Sequence, residues 1–381
     1  MKKILSVIVV VVVTLTQTAE ITAFAQEIDK PAVNAQACVL YCVDDGKVYF
    51  SVNENKKMKP ASTTKLMTSL ITLEYADSAD KVVAFTKDMT AEGSSMYLKV
   101  GEKVKLSDLA AGMMMASGND AANAAAISIA GSAEKFSELM NNRAAVIGMK
   151  NTHFVTPSGL DDENHYSTAY DMALLMSYAL ENESFAKLTS QKSVTVEFSE
   201  PQSKRTTYTN HNRLLSMYEY CTGGKTGYTM AAGRCLVSSA KKDGLTFVCV
   251  TLNDRNDWND HIALYNYGFS KLACVECDDS DYYLEIPCAG GDDESIGVTG
   301  TKGKNVVVPF DKKSNVVRTA YADNFLYAPV KDGDIVGRIE YTLDGKTLAS
   351  TNLTAVEYSN TQNKNKSIWT KIKDFFTYGK E

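Results

Sequence analysis

The sequence predicts an α+β protein: an antiparallel sheet with a helical cluster packed on it, followed by a small all-β domain. Three observations carry this. Paired strand-like segments open the folded region. Ala- and Met-rich helical stretches fill its middle, and consecutive strand-like runs with a closing helix end it. Beyond about residue 279, short Val- and Tyr-rich runs alternate with Gly and Asp turns as far as residue 358.

Val39-Leu40-Tyr41-Cys42-Val43 and the run at residues 47–52 flank Asp44-Asp45-Gly46, which reads as a β-hairpin. A helix follows Ala61, because Leu66, Met67, Leu70, Ile71 and Tyr75 recur at helical spacing. Two more helical stretches, 106–115 and 121–130, flank the polar break Ser117-Gly118-Asn119-Asp120. Helices are also expected over 133–147 and 168–180. Residues 225–229, 234–240 and 245–252 read as consecutive strands, the last two joined by Lys241-Lys242-Asp243-Gly244. A helix over 258–272 closes the region.

The first residues stand apart. Lys2 and Lys3 precede a mostly apolar run at 4–15, and Ala23-Phe24-Ala25 is a small-x-small cleavage site. This reads as a secretory signal peptide over residues 1–25, too short to span a membrane comfortably. The expected organisation is therefore a signal peptide, a main α+β domain over 26–275, a β-rich domain over 279–358, and a linker with an amphipathic helix over 359–381. The 381 residues are 44% hydrophobic and 23% charged, which suits a globular core. The net charge of −6 and the lack of a basic patch in the folded region argue against nucleic acid as a partner.

Eight cysteines in an exported chain raise the question of disulfides. Cys38 and Cys42 lie roughly 13 Å apart on an extended strand, too far to bridge each other. Cys274 and Cys277 have zinc-like spacing without a second ligand pair. The cysteines are read as buried or partly paired, and no metal or organic cofactor is implied.

Three short motifs carry chemistry. Ser62-Thr63-Thr64-Lys65 fits S-x-x-K, Ser117-Gly118-Asn119 fits S-x-N, and Lys225-Thr226-Gly227 fits K-T-G. The first is weak alone, since it recurs at Ser78, Ser132, Ser184, Ser238 and Ser239. The second recurs at Ser51, and the third is unique. Order and context supply the specificity. Residues three apart share a helix face, so Lys65 sits beside Ser62 and can take its proton once burial or a nearby cation lowers its pKa. A helix start favours an anion formed there. A Ser62 that merely caps a helix is the structural alternative. Ser117 can pass a proton to a leaving amine, and Asn119 can bind a substrate amide. The alternative is a capping turn, with Asn119-Asp120 capping the next helix. Lys225 and Thr226 suit a terminal carboxylate on a peptide laid along the strand, and Gly227 permits close approach. A phosphate loop ending at Gly224-Lys225-Thr226 is excluded by Glu219, where that motif needs Gly.

With the motifs in order, the chain resembles the serine D,D-carboxypeptidases, the low-molecular-mass penicillin-binding proteins. The likeness extends to Pro60-Ala61-Ser62, Gly93-Ser94-Ser95-Met96, Thr156-Pro157-Ser158-Gly159-Leu160, His165-Tyr166-Ser167-Thr168-Ala169 and Asn210-His211-Asn212-Arg213. It covers about residues 35–272 strongly and the β-rich remainder weakly. It implies a β-lactamase/transpeptidase-like fold. It also implies removal of the terminal D-Ala from peptidoglycan stem peptides through an acyl-enzyme, with β-lactam antibiotics as covalent inhibitors. By resemblance, Ser62 is the nucleophile, Lys65 its base and Ser117 a proton relay. Asn119, Lys225, Thr226 and Gly227 bind substrate, and the backbone N–H groups of Ser62 and Tyr228 form the oxyanion hole. His211 is expected in the cleft wall; His153, His165 and His261 are expected to be structural.

Rival functions are weaker. A class A β-lactamase needs a Glu that positions the deacylating water, and residues 156–165 offer only Glu163 without an E-x-x-L-N pattern. A non-catalytic peptidoglycan-binding protein would be expected to lack one of the motif residues. A transpeptidase shares the acyl-enzyme and differs only in its acceptor. At the far end, Ile368, Trp369, Ile372, Phe375 and Phe376 fall on one helical face among lysines. This pattern suits an interfacial helix on the outer face of the cytoplasmic membrane. Docking on the β-rich domain is the alternative.

Overall fold

The computed structural model describes residues 29–291 and 293–356. The expected signal peptide and the C-terminal amphipathic segment lie outside the described residues.

The chain begins with the expected hairpin, β1 (Ala37–Cys42) and β2 (Lys47–Val52). A 3₁₀ turn at Ala61–Thr64 leads into α1 (Lys65–Ser78). The short strands β3 (Val82–Ala84) and β4 (Lys103–Lys105) pair with each other. Four helices follow: α2 (Leu106–Ala116), α3 (Asn119–Ala130), α4 (Ala133–Ile147) and α5 (Ala169–Ala179). The small helix α6 (Glu183–Thr189) precedes a second short pair, β5 (Ser193–Glu197) with β6 (Arg205–Thr209), and α7 (Leu214–Met217). Three long strands come next: β7 (Cys221–Thr229), β8 (Gly233–Lys242) and β9 (Leu245–Leu252). The helix α8 (Asp257–Lys271) then closes this part.

β1, β2 and β7–β9 form one antiparallel sheet in the order β2-β1-β9-β8-β7. Its central strands are covered on both faces. Val39, Val237, Val248 and Val250 join the helical cluster on one side. Leu40, Leu236, Phe247 and Cys249 pack against Leu264, Tyr265 and Phe269 of α8 on the other. Burial on both faces explains why these strands read as nearly continuous apolar runs. Each Leu or Phe withdrawn from water contributes about 2 kcal/mol.

Two expectations shift here. The break between α2 and α3 is only Ser117-Gly118, with Ser117 in the left-handed region at φ 57°. Asn119 opens α3 instead of preceding it. The Lys225 triplet sits in the middle of β7, not at its start.

Beyond α8, β10 (Leu272–Val275) continues directly and precedes β11 (Tyr283–Ala289), β12 (Ser295–Gly300) and β13 (Val306–Pro309). The described residues end with β14 (Val317–Ala322), β15 (Leu326–Tyr327), β16 (Ile335–Leu343) and β17 (Lys346–Ala355). β10 pairs with β13, and the rest form a sheet of order β14-β16-β17-β12-β11-β15. Ile286, Ile296, Val298, Ile339 and Leu353 make its core. Buried Asp279 receives hydrogen bonds from Tyr341, Thr351 and Arg318, knotting three strands together. All eight cysteines are unpaired; seven are buried and Cys221 is half-buried.

Candidate active site

The three motifs converge although they lie up to 165 positions apart in the sequence (Ser62 to Gly227). Ser62 sits on the 3₁₀ turn, one residue after Ala61, whose φ of 49° is left-handed. Ser62 thus precedes α1 proper, which starts at Lys65. The close approach of β7 shapes this turn. A Cβ on Gly227 would lie 3.0 Å from the backbone nitrogens of Ser62 and Thr63. Glycine is therefore needed to seat the strand on the nucleophile's turn, a different close approach from the expected one toward a substrate backbone.

Lys65 is fully buried. Its Nζ lies 2.9 Å from Ser62 Oγ, 2.7 Å from Asn119 Oδ1 and 2.7 Å from the Ser158 carbonyl oxygen. The last two oxygens can only accept. A neutral lysine has two N–H bonds and one lone pair. With both N–H bonds committed to Asn119 and Ser158, the lone pair is left facing Ser62. Burial foremost, and the Lys225 charge next, push the Lys65 pKa well below its ordinary value. The site thus holds an amine oriented to take the Ser62 proton.

Asn119 is fixed from its other end, where Nδ2 donates to the Glu92 carbonyl at 2.6 Å. Asn119 does not cap α3, whereas Asp120 Oδ1 accepts from the Ala121 N–H in the helix's first turn at 2.9 Å. Asp120 reaches across to accept from the backbone N–H groups of Met96 and Leu98 and from Ser95 Oγ. This ties the 92–98 loop to the rim of the cleft.

Lys225 is also buried. Its Nζ donates to Ser117 Oγ at 3.1 Å and to the Thr226 carbonyl at 2.8 Å. Burial pushes its pKa down to about 7. Its charge therefore acts from behind Ser117. The cleft itself, about 310 Å³, is lined by Ser62, Ser117, Thr226, Gly227, Tyr228, Ser94 and His211, together with Arg234, Cys235, Asp257 and Trp258. Sequence reasoning missed the last four. Arg234 pairs with Tyr228 across the β7–β8 ladder. Asp257 takes its Nε at 3.1 Å and its Nη2 at 2.7 Å, leaving Nη1. A cation at the strand position beside a carboxylate-binding triplet was the available signal. His211 lines the cleft as expected, and burial lowers its pKa, helped by Lys225. Glu163 is exposed and outside the cleft. A larger hollow of about 630 Å³, between α8 and the C-terminal sheet, contains none of the motif residues.

Comparison with known proteins gives a consistent result. Residues 24–256 match the family described as D-alanyl-D-alanine carboxypeptidase, and residues 278–359 match the C-terminal domain of penicillin-binding protein 5. The D-alanyl-D-alanine carboxypeptidase DacF of Bacillus subtilis is 32% identical over 372 residues, covering 94% of each chain. DacC of Escherichia coli is 34% identical over 362 residues, covering 88% of this chain and 87% of that protein. Among solved structures, penicillin binding protein 5 from Haemophilus influenzae superposes with a TM-score of 0.65 at 29% identity, covering 87% of this chain and 99% of that one. A mutant of the streptomyces K15 DD-transpeptidase superposes with a TM-score of 0.61 at 28% identity, covering 63% of this chain and all of its own.

Proposed function

The chain belongs to the family of D-alanyl-D-alanine carboxypeptidases, and from that membership we propose how its cleft performs the reaction. It is a serine-type hydrolase of peptidoglycan stem peptides, and β-lactams are its covalent inhibitors. The stem peptide lies along the exposed edge of β7 with its terminal carboxylate toward Thr226 and Arg234. Nη1 of Arg234 and the Thr226 hydroxyl supply donors to that carboxylate. Lys225 adds positive potential from behind Ser117.

Lys65 takes the Ser62 proton as Oγ attacks the carbonyl carbon of the penultimate D-Ala. The backbone N–H groups of Ser62 and Tyr228 receive the oxyanion. The carbon–nitrogen bond then breaks, and Ser117 hands its proton to the leaving D-Ala amine. The proton that Lys65 took from Ser62 replaces it on Ser117, so Lys65 is neutral again and Ser117 is again a hydroxyl that accepts from Lys225. Water attacks the Ser62 ester, releases the shortened peptide and restores Ser62. The observation that carries this reading is the Lys65 amine, whose N–H bonds are both spent on acceptors so that its lone pair faces Ser62.

The test is release of free D-alanine from a peptide ending in D-Ala-D-Ala, together with labelling by fluorescent penicillin. Ser62→Ala is expected to lose both. Full-rate labelling of that variant would remove Ser62 from the role. Secretion through the N-terminal segment and attachment to the outer face of the membrane through the C-terminal amphipathic segment complete the proposal; both rest on sequence pattern.

A further inference from the structure

The Lys65 lone pair is aimed by two acceptors, and one of them is a backbone carbonyl on a loop. The Ser158 carbonyl belongs to the segment 154–160, which must be held against the Ser62 turn for the arrangement to persist. Thr68 Oγ1 donates to the Pro157 carbonyl at 2.6 Å. Gly159, at φ 81°, lies so close that a Cβ there would meet the Ala61 carbonyl oxygen at 2.0 Å. Asn141 and Ser137 hold the start of the segment to α4, and a further tie to the Ser62 turn is His165, a buried residue from beyond the loop.

His165 touches both sides of this junction. Its Nδ1 accepts from the backbone N–H groups of Val155 at 3.0 Å and Thr156 at 3.3 Å. With Nδ1 accepting, the neutral ring carries its proton on Nε2, which donates to Thr64 Oγ1 at 2.9 Å. Thr64 is the residue immediately before Lys65. One imidazole therefore clamps the start of the loop to the turn that carries nucleophile and base. The Phe154 ring packs edge-on at 5.7 Å and keeps water from the ring.

We propose that His165 is a positioning residue for acylation, holding the Ser158 carbonyl on the Lys65 amine so that the Lys65 lone pair stays aimed at Ser62. The role requires a neutral ring, because a proton on Nδ1 would face two backbone donors. Burial chiefly supplies this, lowering the His165 pKa to about 4. Asp162 and Asp161 oppose the shift, whereas His153 and Lys59 assist it. This inference rests on Lys65 acting as the base.

The experiment measures the acylation rate by a fluorescent penicillin across pH, the non-covalent dissociation constant before acylation, and the thermal midpoint. His165→Phe removes all three hydrogen bonds; His165→Gln can still accept with its oxygen and donate with its nitrogen. Thr64→Val breaks only the Thr64 end. His165→Phe is expected to slow acylation at least tenfold with the dissociation constant unchanged, and His165→Gln to recover most of the rate. Thr64→Val should fall between them.

The pH profile separates positioning from general damage. An acceptor on the ammonium favours its charged form, so retreat of the Ser158 carbonyl lowers the Lys65 pKa. The acid limb of the rate profile should then move to lower pH while the plateau falls. The other charges facing Lys65, Lys225 on β7 and Asp120 on α3, are untouched by these variants. A lower plateau with an unmoved limb, or a rate that Gln does not rescue, would overturn the proposal. Lys65→Met is the control: if it acylates at the wild-type rate, the base assignment fails, whereas a dead Lys65→Met beside an unaffected His165→Phe overturns the His165 role alone.

Discussion

Lys65 and Lys225 both bury an amino group behind the same cleft, and that arrangement works against stability where it serves chemistry. Burial holds the Lys225 pKa at about 7 against an ordinary 10.5. Between those values the unfolded chain holds a proton that the folded chain has released. Stability therefore rises with pH through that window, and the slope vanishes below about 7. Lys225→Met keeps the volume and removes the titration. The thermal midpoint of the wild type relative to this variant is expected to climb between about pH 7 and about pH 10. A pH-independent difference would refute the lowered pKa. At this scale the sequence was partly legible. Order and context picked Ser62 from six S-x-x-K matches, and the other serines have structural partners. Ser132 caps α4, Ser184 bonds Asp77, and Ser238 bonds His261 and Tyr265. The partners of Lys225 were not legible, because a side chain's direction within a strand depends on what packs behind it.

Among the elements, β7 does the most for the site. It is an edge strand, it seats Gly227 on the nucleophile's turn, and its neighbour β8 brings Arg234 level with Tyr228. The exposed cation of the cleft is thus one strand away from the triplet that the motif points to. Arg234→Ala is expected to lower kcat/KM at least tenfold for a peptide with a free C-terminus. For the same peptide with an amidated terminus, wild type and variant should be nearly equal. If amidation penalised the variant as strongly as the wild type, the carboxylate would be bound elsewhere. Long, strongly patterned elements were readable: α4 spans the expected residues, and β9 likewise. The pairs β3–β4 and β5–β6 were not, because they run only three and five residues and bury one side chain per strand. Nor could periodicity reveal that Asn119 and Asp120 face across to Lys65 and the 92–98 loop, since capping was their local alternative.

For the whole molecule, the C-terminal sheet is joined to the rest through β10, which leaves α8 directly and pairs with β13. Asp279, buried beneath Arg318, Tyr341 and Thr351, organises that sheet from within, a role invisible in a run of Asp-rich turns. The tail beyond it carries a proposal about location. At helical spacing Ile368, Trp369, Ile372, Phe375 and Phe376 would share one face, and its five lysines outnumber Asp374 and Glu381. A chain ending at Tyr358 is expected to release D-alanine at the wild-type rate while losing affinity for anionic liposomes. Equal liposome binding by both chains would favour docking of the tail on the protein. The eight cysteines, finally, report on the packing of this molecule. Seven of the thiols are buried, and Cys221 is half-buried. The same thiols become a built-in gauge: a maleimide dye added to the native enzyme should find few of them, and each one that reacts marks a place where the packing has opened.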